Sequence, residues 1–413
     1  MKSIPQALGA RLAAFLVIAA AAPLAAQEEP KTRAESIIAA RQKKAEELEP
    51  QEPNEVEQKL LIVQQRQLLE RFGTGEGLFP KFGGLQTGQG FSAGVQYRQN
   101  GVGGTPLRLS TFAVFSIRKS QRYNLTLEAP TTRTRRFGYD VYADHRNLAT
   151  VDYYGPGAES SLEDRTSFRL ERFDVGGGVK AHPGPDWLRL GARAAYLRFN
   201  VGPGQRSSIP STDAAYTPQQ TPGLDHQTDF LRTSGLMEID YRKPTPSGAR
   251  SGGLYSLELA HYEDVNLKQY DFQRLDAEVQ QYFGFYNDRR VIMLRGRTSI
   301  SSHDGDHLVP FYLQPYLGGP RELRGFNNYR FYDNHALVMN VEYRWEAFSG
   351  LDMALFFDAG KVANRRADLD LSDLETDVGV GFHFNGRNST FLRLDVAFSH
   401  EAAKVWFRFG SPF

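Results

Sequence analysis

The sequence predicts an all-β protein: a transmembrane antiparallel β-barrel of 16 strands that follows a short helical N-terminal prefix. Three observations lead to this fold class. From about residue 90 to the C-terminus, apolar and polar residues alternate with the period of a β-strand. Glycine and aromatic residues are abundant, with 39 Gly, 28 Phe and 19 Tyr. Past residue 27 no apolar run of about 18 residues occurs, which excludes a helical membrane protein.

Charge and cysteine content exclude several classes of function. The 413 residues include 49 Lys and Arg against 48 Asp and Glu, a net charge of +1. This balance gives no electrostatic reason to expect a nucleic acid as a partner. Cysteine is absent, which excludes disulfides, thiolate metal sites, cysteine nucleophiles and a lipid anchor on cysteine.

The first 26 residues carry the pattern of a secretory signal peptide. Lys2 and Arg11 form a basic start, and residues 12–22 (LAAFLVIAAAA) are apolar. Small residues precede Gln27, so we expect cleavage after Ala26. The alternative, a buried or membrane-anchoring helix, is disfavoured because the apolar run is short for a membrane span. The mature chain is therefore expected outside the cytoplasm.

Residues 27–75 are interpreted as a helical and partly disordered prefix. Asn54 and Glu57 have the spacing of a capping box, and apolar residues follow at helical intervals. An amphipathic helix is therefore expected over 54–72, ended by Gly73. Two interpretations remain open: a solvated periplasmic linker with a short helix, or a segment at the membrane surface or inside the barrel lumen.

Residues 76–413 are interpreted as the barrel, because each predicted strand has one continuous apolar face and one charged face. Over 337–346, for example, the odd positions are apolar and the even positions from 340 are polar or charged. Fifteen segments have this pattern: 90–98, 105–117, 121–130, 135–148, 165–182, 187–200, 228–243, 252–264, 269–284, 290–302, 334–347, 350–361, 376–385, 390–399 and 402–413. Since bacterial single-chain barrels have an even number of strands, one more is expected in the first half.

The links between these segments alternate in length. Short turns at 286–288, 349–350 and 385–386 alternate with long links such as 201–227 and 303–333. Short periplasmic turns and long outer loops are typical of outer-membrane barrels. The sequence therefore predicts an outer-membrane location, with the longest links outside.

Five motifs follow one another in the C-terminal third. They are Leu323-Arg324-Gly325-Phe326 after Gly318-Gly319-Pro320, the segment 340–345 (NVEYRW), the segment 356–360 (FFDAG), the segments 379–382 (GVGF) and 392–395 (LRLD), and the aromatic C-terminal signal of Phe407, Phe409 and Phe413. In this order and spacing they resemble the bacterial surface antigen barrel family. This is the superfamily of the outer-membrane protein assembly factor and the two-partner-secretion transporters. The resemblance is looser over 90–311, where 153–157 (YYGPG) is the best match.

The resemblance implies a role for the first motif, which looks like the tip of the family's sixth loop. Loop 303–333 would fold into the lumen, and Arg324 would bind Glu342 and Asp358. Independently of the family, both carboxylates lie on the polar face of their strands by parity, and a guanidinium fork suits two carboxylate acceptors. The alternative is an unstructured outer loop with an exposed arginine.

The sequence departs from the family in one respect. Members that handle client proteins carry periplasmic POTRA modules of roughly 75 residues before the barrel, as the resemblance implies. Too few residues lie between Ala26 and the first predicted strand for one such module. The chain is therefore expected to resemble the family's minority of members without POTRA modules, which puts the usual route of client recognition in doubt.

No constellation of residues predicts catalysis, a cofactor or a metal. His383 faces inward by parity and is interpreted as a polar lumen residue rather than a base. The cluster His303-Asp304-Gly305-Asp306-His307 could offer carboxylates to a cation, but a polar loop tip needs no metal. The run 176–178 (GGG) lacks a phosphate-loop pattern and is expected to let the barrel wall bend.

Two functions from different classes follow. The first is an assembly- or translocation-type barrel, as the family implies, acting on a lipid, a protein or its own N-terminal segment. Its working parts would be the loop contact of Arg324 and the seam between the first and last strands. The second is a passive pore or structural barrel without a client. In either case the expected partners are outer-membrane lipid and the barrel assembly machinery during biogenesis.

Overall fold

The computed structural model describes residues 76–86, 88–132, 136–245, 247–386 and 390–409. The strands are β1 (Gly77–Phe82), β2 (Ser92–Asn100), β3 (Arg108–Ser116), β4 (Gln121–Ala129), β5 (Phe137–Tyr153), β6 (Thr166–Ala181), β7 (Leu188–Pro203), β8 (Asp229–Asp240), β9 (Lys243–Thr245), β10 (Gly248–Asp264), β11 (Phe272–Phe285), β12 (Arg290–Ser302), β13 (Tyr316–Leu317), β14 (Phe331–Tyr332), β15 (His335–Phe348), β16 (Leu351–Ala363), β17 (Glu375–Asn385), β18 (Thr390–Phe398) and β19 (Ala403–Phe409). The helical segments are α1 (Thr212–Ala215) and the 3₁₀ turns Val102–Gly104, Phe311–Leu313 and Arg366–Asp368. Within the described ranges, no helix has the length and apolar character needed to cross a membrane.

The protein is all-β, and its long strands form one antiparallel meander. Each strand from β1 to β8 pairs with the next along the chain. The run continues through β10, β11, β12 and β15 to β19. The small strands β13 and β14 pair with each other inside the β12–β15 loop. An antiparallel all-β fold is thus confirmed, whereas closure into a barrel of 16 strands stays a prediction.

The two faces of the sheet differ as the alternating sequence requires. We call the face that contacts the β12–β15 loop the inner face, and the opposite one the outer face. Apolar side chains on the outer face are exposed on many strands: Val95, Phe115, Leu125, Val141, Val179, Leu190, Leu231, Leu257, Val279, Ile292, Val341, Phe357, Val378 and Val405. So continuous an apolar surface is unfavourable in water, and it is the surface that a barrel presents to lipid.

Connections at the two ends of the sheet differ in length. One end, which we call the loop end, carries the connections 154–165, 204–228, 303–334 and 364–374. The opposite end carries short turns such as 286–289 and 349–350. Because antiparallel strands alternate in direction, every second connection falls at the same end. The long loops are therefore gathered where they can contact one another.

The β12–β15 loop packs against the inner face near the loop end. It contributes Val309, Phe311, Tyr312, Tyr329 and Tyr332 to a buried cluster. The strands contribute Tyr153, Phe168, Phe199, Phe230, Tyr262 and Phe272, among others. Since a fully buried large apolar side chain contributes roughly 1.5–3 kcal/mol, this cluster holds the loop on the sheet without any charged contact.

The sequence-based strand assignments missed β1. Its six residues (GLFPKF) pair in register with β2, within the half of the chain where one more strand was expected. Pro80 and the flanking glycines hide it, because proline and glycine are typical of turns and rare inside strands. The predicted signal peptide and the predicted helix over 54–72 lie outside the described residues.

Candidate functional site

The tip of the β12–β15 loop lies deep against β15 and β16. Nε and Nη2 of Arg324 donate hydrogen bonds to Oδ2 and Oδ1 of Asp358, each at 2.7 Å. Nη1 donates to Oε2 of Glu342 at 2.8 Å. The Arg324 side chain is 3% exposed and both carboxylates are fully buried. We call Arg324, Glu342 and Asp358 the loop latch; its bidentate geometry is the strongest form of a guanidinium–carboxylate contact.

An aromatic ring supports the guanidinium from one side. Cζ of Arg324 lies 3.4 Å from the ring centroid of Phe356, a cation–π contact. Gly379 on β17 is the register partner of Phe356. A Cβ at Gly379 would lie 2.3 Å from Cζ of Phe356. The absence of a side chain at this glycine therefore makes room for the ring that carries Arg324.

Asn340 orients Asp358 and also holds the loop. It is the register partner of Asp358 on β15, and its Nδ2 donates to Oδ1 of Asp358 at 2.8 Å. The same nitrogen donates to the backbone oxygen of Glu322 at 2.8 Å, and the amide oxygen accepts from Nη1 of Arg295 at 2.9 Å. Asn340 lies within a motif of the sequence, but no role was predicted for it.

Glu342 and Asp358 differ in how their charges are compensated. Glu342 also accepts hydrogen bonds from Arg344, at 3.0 and 3.1 Å, and from Nη2 of Arg393 at 2.7 Å. Its charge is thus shared among three guanidinium groups. Asp358 gives both carboxylate oxygens to Arg324 and Asn340. Parity places Arg344 and Arg393 on the inner face, but the sequence did not reveal that they meet Glu342.

The remaining residues of the loop motif are also fixed. The backbone oxygen of Arg324 accepts from Nε1 of Trp406 at 2.6 Å, and that of Gly325 accepts from Oγ of Ser399 at 2.8 Å. A Cβ on Gly325 would lie 2.5 Å from Cβ of Asp377, so only glycine fits there. Leu323 and Phe326 are fully buried in a cluster with Leu317, Phe331, Ala336, Val338 and Val362.

A second polar contact holds the loop at the loop end. Arg330 donates from Nε to Glu401 at 2.7 Å and from Nη1 to Oγ of Ser160 at 2.8 Å. Nδ2 of Asn327 donates to the hydroxyl of Tyr154 at 3.0 Å. The loop is thus bound to the β5–β6 connection, which contains residues 154–157 of the YYGPG segment, and to the β18–β19 turn. The sequence singled out that segment without predicting this contact.

The structure also places the histidine, metal and glycine candidates that the sequence analysis considered. His383 is fully buried on the inner face of β17 opposite Arg393. Nδ1 of His307 accepts a hydrogen bond from the backbone of Asp271 at 3.2 Å. In the described part of the chain, no group of three His, Asp or Glu side chains is placed to hold a metal ion. The glycines 176–178 lie within β6, paired on both sides.

The predicted C-terminal signal is only partly described. Phe407 is 66% exposed on the outer face of β19, where an aromatic side chain would meet lipid. Phe409 is the last residue of that strand, and Phe413 lies outside the described residues.

Comparison with models of known protein families assigns the chain to a superfamily. Residues 86–410 match the model of the Omp85 superfamily domain. The chain belongs to the Omp85 superfamily. This confirms the resemblance that the loop motif and the C-terminal motifs suggested. Omp85 proteins are outer-membrane proteins.

Solved structures show the same fold at low sequence identity. BamA from Haemophilus ducreyi lacking POTRA domains 1-3 is 13% identical, with a TM-score of 0.58, over 85% of this chain and 77% of that chain. CdiB from Escherichia coli is 12% identical, with a TM-score of 0.53, over 81% of this chain and 62% of that chain. At such identities the likeness concerns the fold alone. No curated protein matches the chain.

Proposed function

We propose that this Omp85 protein is an outer-membrane assembly or translocation barrel whose β12–β15 loop is held inside the lumen by the loop latch. The observation that carries the proposal is the latch itself. Burying three charged groups is costly unless they are paired with good geometry. A chain that only formed a passive wall could cover the same surface with apolar residues at lower cost.

The arrangement of the loop also favours this function over a passive pore. The aromatic cluster and the contact of Arg330 with Glu401 place the loop across the inner face at the loop end. A segment in this position obstructs diffusion along the lumen. A barrel that acts on a client needs a fixed internal element more than an open channel.

The proposed partners follow from this function. The exposed apolar outer face fits outer-membrane lipid. The barrel assembly machinery would insert the chain, guided by the signal peptide and the aromatic C-terminus. The client would be a protein or a lipid, handled at the loop and at the seam between the first and last strands.

The test is a comparison of envelope composition in the native bacterium. Deleting the gene should lower the amount of at least one outer-membrane protein or surface lipid, measured by quantitative proteomics and lipid analysis of isolated outer membranes. Wild-type protein should restore it, Arg324→Ala should restore it poorly, and Arg365→Ala should restore it fully. Arg365 is the matched control because it is an exposed loop arginine paired with Asp368.

The passive-pore alternative predicts a different pattern. Envelope composition would be unchanged on deletion, and the purified protein would give steady single-channel currents in planar bilayers that Arg324→Ala does not alter. That combination would contradict the proposal.

A further inference from the structure

A cavity of about 270 Å³ lies between the inner face of the sheet and the β12–β15 loop. Its polar lining consists mainly of Arg146, Arg172, Arg274, Arg297, Asp276, Glu322, Ser299 and Gln314. Its aromatic lining consists of Phe168, Phe199, Tyr262, Tyr312, Tyr316, Tyr329 and Tyr332. At a share of ~30 Å³ per water molecule in the liquid, the cavity has room for roughly nine waters. None of the three latch residues lines it.

Two of the arginines that line the cavity, Arg146 and Arg172, belong to a row of three aligned arginines on the inner face of the sheet. Arg122 on β4, Arg146 on β5 and Arg172 on β6 are register partners across three adjacent strands. Directly opposite side chains in a sheet lie about 5 Å apart, and like charges in this position are destabilising. Three aligned guanidinium groups therefore oppose folding, and they need an anion to offset their repulsion.

The wall itself supplies too few anions for this row. Asp144 serves two of the arginines, accepting from Nε of Arg122 at 2.8 Å and from Nη2 of Arg146 at 2.9 Å. Asp174 pairs with Arg172. Three guanidinium groups thus share two carboxylates, which leaves an excess of positive charge beside the cavity.

The two acidic residues that line the cavity, Asp276 and Glu322, both pair with Arg297. Arg297 on β12 pairs with Glu322 of the loop at 2.7 Å and with Asp276 of β11 at 3.9 Å. Arg274, next to them, donates to the neutral oxygens of Ser301 and Leu313. The surplus of positive charge is therefore concentrated towards Arg146, Arg172 and Arg274.

We propose that this cavity binds a phosphorylated monosaccharide. The guanidinium forks of Arg146, Arg172 and Arg274, which all line the cavity, suit a phosphate group. The aromatic faces suit the C–H faces of a sugar ring, and Ser299 and Gln314 can bind its hydroxyls. The volume lies just below the range of about 300–1,000 Å³ of drug-sized ligands, which excludes a folded client or a long peptide. Because the cavity lies on the inner face, the sugar phosphate is taken from the aqueous phase rather than from a membrane glycolipid.

The test is direct binding to the full-length protein in detergent micelles, by isothermal titration calorimetry. The probes are glucose 6-phosphate, glucose, inorganic phosphate and detergent-dispersed lipid A. Arg146→Gln and Arg172→Gln each remove one guanidinium that lines the cavity. Arg122→Gln is the matched control, because it removes a charge from the same row but does not line the cavity. Heat-modifiable migration on gels establishes that each variant is folded.

The proposal expects glucose 6-phosphate to bind more tightly than glucose and inorganic phosphate. Loss of one charge-assisted hydrogen bond should weaken binding by about 10-fold or more in Arg146→Gln and Arg172→Gln. Arg122→Gln lowers the positive charge of the row without removing a group that lines the cavity, and it should weaken binding distinctly less. The proposal fails if glucose 6-phosphate does not bind, or if all three variants lose affinity equally, which would indicate a diffuse charge effect. If inorganic phosphate binds as tightly as glucose 6-phosphate, the sugar is not recognised and the proposal is wrong. If lipid A binds more tightly than glucose 6-phosphate, the ligand comes from a membrane glycolipid and not from the aqueous phase.

Discussion

Replacing Arg324 with alanine should release the β12–β15 loop while the sheet stays folded. The substitution removes two hydrogen bonds to Asp358, one to Glu342 and the stacking on Phe356. Glu342 keeps Arg344 and Arg393 as partners. Asp358 loses the guanidinium that binds both of its oxygens, and it is fully buried. The cost of the substitution therefore falls mainly on Asp358.

The structure sets the magnitude. Removing one member of a buried ion pair costs about 3–5 kcal/mol, since the other charge is left without compensation. The near-complete burial of all three latch residues places this site within that range. A change of about 3 kcal/mol in the free energy of loop opening corresponds to roughly a 100-fold larger open population. The packing of the aromatic cluster should keep the loop mostly closed.

Limited proteolysis of the detergent-solubilised protein measures this population, because cleavage tracks the open state when reclosing is fast. Cleavage within 303–334 should accelerate roughly 100-fold in Arg324→Ala, while Arg365→Ala behaves as wild type. Arg324→Lys should recover only part of the loss, because an ammonium lacks the planar fork.

A double-mutant cycle isolates the contact. Asp358→Asn should resemble Arg324→Ala, and the double variant should be less than additive by more than about 1 kcal/mol. The coupling of Arg324 with Glu342 should be weaker, since Glu342 has two further guanidinium partners. Additivity within about 0.5 kcal/mol in both cycles, with unchanged loop cleavage, would refute the latch.

Three further predictions concern the loop and the barrel end. Gly325→Ala should release the loop, because the added Cβ has no room beside Asp377, while Gly184→Ala, which meets nothing within 4 Å, should be neutral in the same proteolysis assay. Burial raises the pKa of Asp333, in the loop, from 3.8 to about 6. The folded loop therefore binds the proton of Asp333 more tightly than the unfolded loop does. The stabilisation of the folded loop that results is complete below pH 3.8 and is lost as the pH rises through 6. The loop should thus be cleaved up to about 10-fold faster at pH 7.5 than at pH 5, relative to Asp333→Asn, which corresponds to about 1.4 kcal/mol in the free energy of loop opening. Equal ratios at both pH values would contradict this. Deleting Phe413 should lower the yield of heat-modifiable protein in outer membranes. An unchanged yield would show that Phe413 is not needed as a C-terminal assembly signal.

The sequence by itself determined the class of fold and the identity of the loop motif. A strand repeats every two residues, so alternation within ten residues is enough to identify it and to assign Glu342 and Asp358 to one face. The same reasoning failed for β1, because six residues with a central proline carry too little periodic signal. Local pattern thus predicted which side chains face inward, strand by strand.

Only the tertiary structure decided which inward side chains meet. The contacts of Glu342 with Arg393, the positioning of Asp358 by Asn340 and the row of Arg122, Arg146 and Arg172 all depend on the register between strands. A shift of one residue would move every side chain of a strand to the other face. Register is set by the packing of the whole sheet and by the length of each turn, so no single segment encodes it. The ion network and the cavity are consequently properties of the assembled sheet and loop, whereas the alternation that creates their residues is local.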